Sequence, residues 1–118
     1  MPDLLNMSTV SDLQSLADAE DPDFFRETVQ AFEANAKELL DQLETIIDAS
    51  DGKRQLPRLL HQLKGSSYNV GAQALGDLSE QYEQQGKIDP AGIEHDEMVR
   101  ELRQTFQRTM QAYKQLEN

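Results

Sequence analysis

The strongest candidate for chemistry in this chain is His61, followed by Lys64 three residues on and Gly65 four residues on. Residues at those separations are neighbours on a helix surface. On a helix the spacing sets an ammonium group and a bare patch of backbone beside an imidazole. Imidazole is a competent nucleophile, and its ordinary pKa of about 6.5 leaves it mostly neutral at pH 7. Lysine neutralises an anion as a point charge with three donors. Glycine inside a helix costs roughly 1 kcal/mol relative to alanine, so a glycine kept there points to a need for the missing side chain. The three together suit a histidine that takes on a bulky anionic group from outside. Taken singly, each has an ordinary alternative: a surface histidine, a solvated lysine, a glycine at a kink or close helix contact.

The helix that must position them covers about residues 55–69. At about 100° per residue, Leu56, Leu59, Leu60, Leu63, Ser67 and Val70 fall in one arc, the expected core face. His61 falls opposite that arc and points to water. Its neighbours on the outer face are Lys64, Gly65 and Tyr68, with Pro57, Arg58 and Arg54 on the preceding turns. Pro57 is tolerated in a first turn but kinks a helix interior, so the helix is expected either to begin near Leu56 or to bend there.

Apolar residues recur at helical spacing through the whole chain, and the alternation of strands is absent. A short helix is expected near residues 8–18, with Val10, Leu13 and Leu16 on one side. A second opens at Asp21-Pro22, a cap followed by proline at the first helical position. It carries Phe25, Val29, Phe32, Ala36, Leu39, Leu43 and Ile46, and stops at Ser50-Asp51-Gly52. After Gly71 a fourth covers about residues 72–85 and ends at Gly86. Asp89-Pro90 marks a turn. The last, about residues 94–116, shows Val99, Leu102, Phe106, Met110, Tyr113 and Leu116, with Glu94, Asp96 and Glu97 favouring its N-terminal end. Each long helix has one apolar stripe to bury. The expected fold is all-α: an antiparallel four-helix up-and-down bundle with a short extra N-terminal helix. One domain is expected over residues 1–118, with 1–20 as the N-terminal cap and 21–118 as the bundle.

Composition narrows the partners. The net charge is −11, from 22 acids against 11 bases, so nucleic acid and anionic lipid are poor partners. No stretch approaches the ~20 apolar residues of a membrane span, and residues 1–5 lack the features of a secretory signal. There is no cysteine, hence no disulfide or thiolate metal site. A cytoplasmic location is the simplest expectation. The charge is uneven: residues 52–76 hold Lys53, Arg54, Arg58 and Lys64 and no acid, so they carry +4 against −15 elsewhere. That local field suits a phosphate or an acidic partner surface; chance clustering beside a turn is the plainer alternative.

The run from His61 to Ala72, HQLKGSSYNVGA, resembles the signature of histidine phosphotransfer (Hpt) domains, roughly H-x-L-K-G-S-S/A-x-x-x-G-A. His61, Leu63, Lys64, Gly65, Ser66, Ser67, Gly71 and Ala72 match it. Leu75, Leu78, Tyr82 and Glu83 continue the likeness into the next helix, and Ser79 stands where many members have cysteine. The resemblance covers essentially the whole chain, and Met1 with a complete set of helices favours a stand-alone protein.

The resemblance implies a carrier that relays a phosphoryl group between His61 and the aspartate of response-regulator receiver domains in a multistep two-component phosphorelay. His61 would be phosphorylated, Lys64 would stabilise the phosphoryl group, and Gly65 would give it access. Arg58, Gln62, Tyr68 and Arg54 are candidate partner contacts, and Gln62 and Gln81 candidate polar neighbours of the site. Ser66 and Ser67 would be structural, and Gly71 would allow the turn. Partners would be receiver domains and a hybrid sensor histidine kinase, with Mg²⁺ on the receiver, no cofactor on this chain, and a monomer as the default. No G-x-x-x-x-G-K-[ST] loop is present, so neither ATP binding nor autokinase activity is expected. Two other classes remain: a helical docking module that carries no phosphate, and a metal-dependent bundle enzyme. The second lacks the inward Glu-x-x-His pairs of di-iron bundles, since Arg58 and Gly92 stand three residues before His61 and His95.

Overall fold

Helical spacing in the sequence becomes helix along the chain. The computed structural model describes residues 3–17, 19–46 and 52–116, with the backbone alone at 52–54. Among these residues lie α1 (Met7–Ser15), α2 (Phe24–Thr45), α3 (Gly52–Asn69), α4 (Gln73–Ile88) and α5 (His95–Leu116), with a 3-10 turn at Pro90–Gly92. No strand occurs among them. The most extensive packing is α3 on α4. In addition α2 packs on α3 and α5, α4 packs on α5, and α1 packs on α2.

The apolar stripes meet as their spacing requires. Phe32, Ala36, Leu39 and Leu43 of α2, Leu59, Leu60 and Leu63 of α3, and Val99, Leu102 and Phe106 of α5 are all buried. Leu40 and Met98 join them, fully buried. Each fully buried leucine contributes about 1.5–3 kcal/mol, so this shared core holds α3 in place. Leu56 is partly buried at its edge.

Main-chain hydrogen bonds fix the turn between α3 and α4. Ala72 N–H donates to the Ser67 carbonyl at 2.8 Å and Gly71 N–H to the Tyr68 carbonyl at 3.2 Å, the paired bonds of a Schellman ending. Gly71 has φ +79°, which an L side chain adopts at a cost. Asn6 N–H donates to the Gly71 carbonyl at 2.7 Å, while the Asn6 side chain caps α1 by accepting from Ser8 and Thr9 N–H. The N-terminal segment thus seats on this turn. Tyr113 of α5 donates its hydroxyl to the Val70 carbonyl, satisfying one of the acceptors left free at a helix end.

Several boundaries differ from the sequence expectation. α2 starts at Phe24, because Phe24 N–H closes a turn onto the Asp21 carbonyl at 3.3 Å with Pro22 in the turn position that proline favours. Asp23 occupies the cap position but makes no capping bond; its carboxylate pairs with Arg26 at 3.0 Å. The expected stop at Ser50-Asp51 lies outside the described residues, and Gly52 is the first residue of α3. α3 therefore begins ahead of Pro57, which sits inside the helix. The proline removes one main-chain bond, and burial of Leu59, Leu60 and Leu63 outweighs that loss. α4 runs through Gly86 to Ile88 and ends where Asp89, before Pro90, leaves the helical region (φ −149°, ψ 80°), which a following proline disfavours. Leu16 falls beyond α1 and is exposed, as is Leu116.

The α3–α4 contact is close at Gly76. A Cβ there would lie 2.4 Å from the Tyr68 ring. Gly76→Ala should lower stability by about 1–3 kcal/mol through overpacking, read as a lower urea midpoint. In a Tyr68→Ala background the clash is gone, and the same substitution should be neutral or stabilise by up to ~1 kcal/mol, since alanine is the better helix former.

Candidate functional site

His61 projects from the middle of α3 with its side chain 67% exposed. The core arc of Leu59, Leu60 and Leu63 fixes this outcome, because the helical advance turns residue 61 away from the buried face. Across from it on α4 stands Glu83, whose side chain is 5% exposed. Glu83 lies on the buried stripe of α4 with Leu75, Gly76 and Ser79. A carboxylate in that position needs partners, and it has them. Its Oε2 is 3.0 Å from His61 Nδ1, and its Oε1 is 2.8 Å from Lys64 Nζ. Lys87, one turn further along α4, places Nζ 3.9 Å from Oε2.

Burial by itself would push the Glu83 carboxyl up. The close contacts of Lys64 and His61, together with the lysine charge, outweigh burial and hold it below the usual carboxylate range. The same contact raises Lys64 above an ordinary lysine. An ionised carboxylate only accepts hydrogen bonds. Nδ1 of His61 must therefore be the donor, and in the neutral ring Nε2 carries the lone pair. Nε2 has no hydrogen-bond partner among the described residues. A Cβ on Gly65 would meet nothing within 4 Å, so the space beside the imidazole is open. The site presents an exposed imidazole nitrogen, its ring held from behind by a buried anion with two lysines beside it.

A family model described as the Hpt domain matches residues 27–115. The chain belongs to the Hpt-domain family. Its fold is similar to the X-ray structure of a protein from rice described as a "putative histidine-containing phosphotransfer protein", with a TM-score of 0.68 and 28% identity over 96% of this chain and 85% of that one. No curated protein sequence matches. Family and likeness together support a phosphotransfer role, and Hpt proteins are phosphocarriers.

In this Hpt domain the residues singled out from the sequence separate into two groups. His61, Lys64 and Gly65 share one patch, as their spacing requires. Tyr68 faces α4 instead of standing open: its hydroxyl donates to Asp77 at 2.6 Å, and burial followed by that bond pushes the phenol well up. Arg58, Gln62 and Gln81 are exposed and make no hydrogen bond or ion pair within the described residues. The Arg54 and Lys53 side chains lie outside the described residues. Ser66 accepts from Asn35 of α2 at 2.9 Å, and Ser67 is buried. Of the four bases in residues 52–76, Lys64 is paired across the helices with Glu83.

Glu83 is the residue that sequence reasoning passes over. It matches the family spacing, yet nothing in the sequence gives it a role. The available signal is its place on the apolar stripe of α4, four residues after Ser79 and eight after Leu75, where a charge is out of keeping.

Two outcomes follow from this geometry. Gly65→Ala should raise stability by roughly 1 kcal/mol through helix propensity, seen in urea melts, while slowing phosphotransfer by filling the open space. Glu83 has a lowered folded pKa, so the stability it contributes is present above the unfolded value of 4.5 and is lost as pH falls through the folded one. In Glu83→Gln, melting temperature should fall less steeply than in the parent as pH drops below about 4.5.

Proposed function

We propose that His61 carries the phosphoryl group, receiving it from and returning it to the aspartate of a receiver domain in a multistep relay fed by a hybrid sensor kinase. The observation that carries this reading is the orientation of His61, with Nδ1 held by ionised Glu83 and Nε2 free on an exposed ring. In the forward step the Nε2 lone pair attacks phosphorus, the Nε2–P bond forms, and the P–O bond to the aspartyl carboxylate breaks. The aspartate leaves as a carboxylate. No proton need move: the ring keeps its Nδ1 hydrogen and becomes cationic, and Glu83 stabilises that charge at 3.0 Å. The reverse step retraces these bonds.

Phosphoryl transfer of this kind depends on alignment and on neutralising the phosphoryl oxygens. Gly65 leaves room for the in-line approach, and Lys64 supplies positive charge beside it. Mg²⁺ would belong to the receiver and polarise the aspartyl phosphate there. Arg58 and Gln62, exposed beside His61, would contact the receiver, as would Arg54. The helix contacts α2 on α3, α3 on α4, α4 on α5 and α5 on α2 support an antiparallel up-and-down bundle spanning a single domain. The carrier would act as a cytoplasmic monomer without autokinase activity; among the described residues no helix is long and apolar enough to cross a membrane.

His61→Gln should abolish labelling by a receiver carrying radiolabelled phosphate and leave helicity by circular dichroism unchanged, since the ring is mostly exposed. Labelling of the variant equal to the parent would overturn the assignment and favour a docking module.

A further inference from the structure

Lys64 is the cation that spacing places nearest the phosphoryl group, yet the structure shows it already engaged. It is 2.8 Å from Glu83, and its side chain is only 19% exposed. Drawing it off would leave a buried carboxylate short of its closest partner, which is costly. Lys87 is in a different position. Its Nζ is 3.9 Å from Glu83 Oε2, at the margin of ion pairing, and its side chain is 56% exposed. It shares that oxygen with His61 Nδ1, so the ammonium and the imidazole lie on the same small patch. Lys87 has a flexible four-carbon stem and little to lose by leaving Glu83. Neither composition nor the basic stretch 52–76 points to it, since it lies outside that stretch on another helix.

We propose that Lys87 is a second phosphoryl-contacting residue, the mobile cation that moves from Glu83 to the phosphoryl oxygens on His61, while Lys64 stays with Glu83 and keeps it ionised. The inference rests on the reading of His61 as the phosphorylated residue. The two lysines then divide the work. The engaged one maintains the anion that orients His61, and the loosely held one follows the charge as it arrives and departs. Transfer neither makes nor breaks a bond to Lys87; only its ion-pair partner changes. A cation that exchanges partners without first breaking a buried pair suits a carrier that must load and unload in both directions.

The test uses the full chain and two donors: phosphoramidate, which needs no protein partner, and a phosphorylated receiver domain. Parent labelling that is lost in His61→Gln establishes the underlying reading; failure of that control would sink the reading itself. Given the control, Lys87→Gln should slow labelling by both donors roughly three- to tenfold, with melting temperature little changed. Lys87→Arg should recover most of the rate, and added salt should slow the parent more than Lys87→Gln. Rates in Lys87→Gln equal to the parent with both donors would overturn the proposal. So would slowing with the receiver alone, which would make Lys87 a docking contact and not a phosphoryl contact.

Discussion

Everything at the site turns on one buried carboxylate. Glu83 lies on the face of α4 that packs toward the core, and a charge there is tolerated only when paired. Its partners are the imidazole at 3.0 Å and the Lys64 ammonium at 2.8 Å. Those two contacts keep it ionised despite burial. Being ionised, it fixes which nitrogen of His61 holds the proton. The nitrogen left free on the exposed ring, the one proposed to take the phosphoryl group, is thus selected by a residue buried behind it. The arrangement follows the logic by which a buried carboxylate orients a catalytic histidine elsewhere.

That contact exists only because α3 and α4 run close together. Gly76 removes the side chain that would strike the Tyr68 ring, and Tyr68 in turn reaches Asp77. Gly71 reverses the chain between the helices at φ +79°, and Asn6 closes over the turn. Toward the other end of α3, Pro57 sits within the helix, ahead of the buried leucines that anchor it to the core. Gly65 differs from these glycines: no neighbour demands it, and the space above it is empty. Packing and backbone conformation explain Gly71 and Gly76, whereas neither explains Gly65.

Much of the site is legible in the sequence alone. A period of 3.6 residues is enough to turn His61 outward when Leu59, Leu60 and Leu63 must turn inward, and enough to bring Lys64 and Gly65 beside it. Helix ends are less legible. The Pro22 signal belongs to a turn ahead of α2, and Gly86 does not stop α4, because a glycine preference of about 1 kcal/mol is too small to end a helix that stops instead at Asp89, before Pro90. The count of charges in residues 52–76 does not show that Lys64, one of its four bases, is paired with Glu83 of α4.

What the sequence by itself determined is therefore whatever one helix can settle alone: the exposed histidine, its neighbours at three and four residues, the missing side chain at Gly65, and membership of a family whose signature is contiguous. Only the tertiary structure decided what lies behind His61. Glu83 is 22 residues away in the chain and 3.0 Å away in space. No periodicity within one helix encodes that distance, because it is set by how two helices pack and by the need of a buried charge to find its partners.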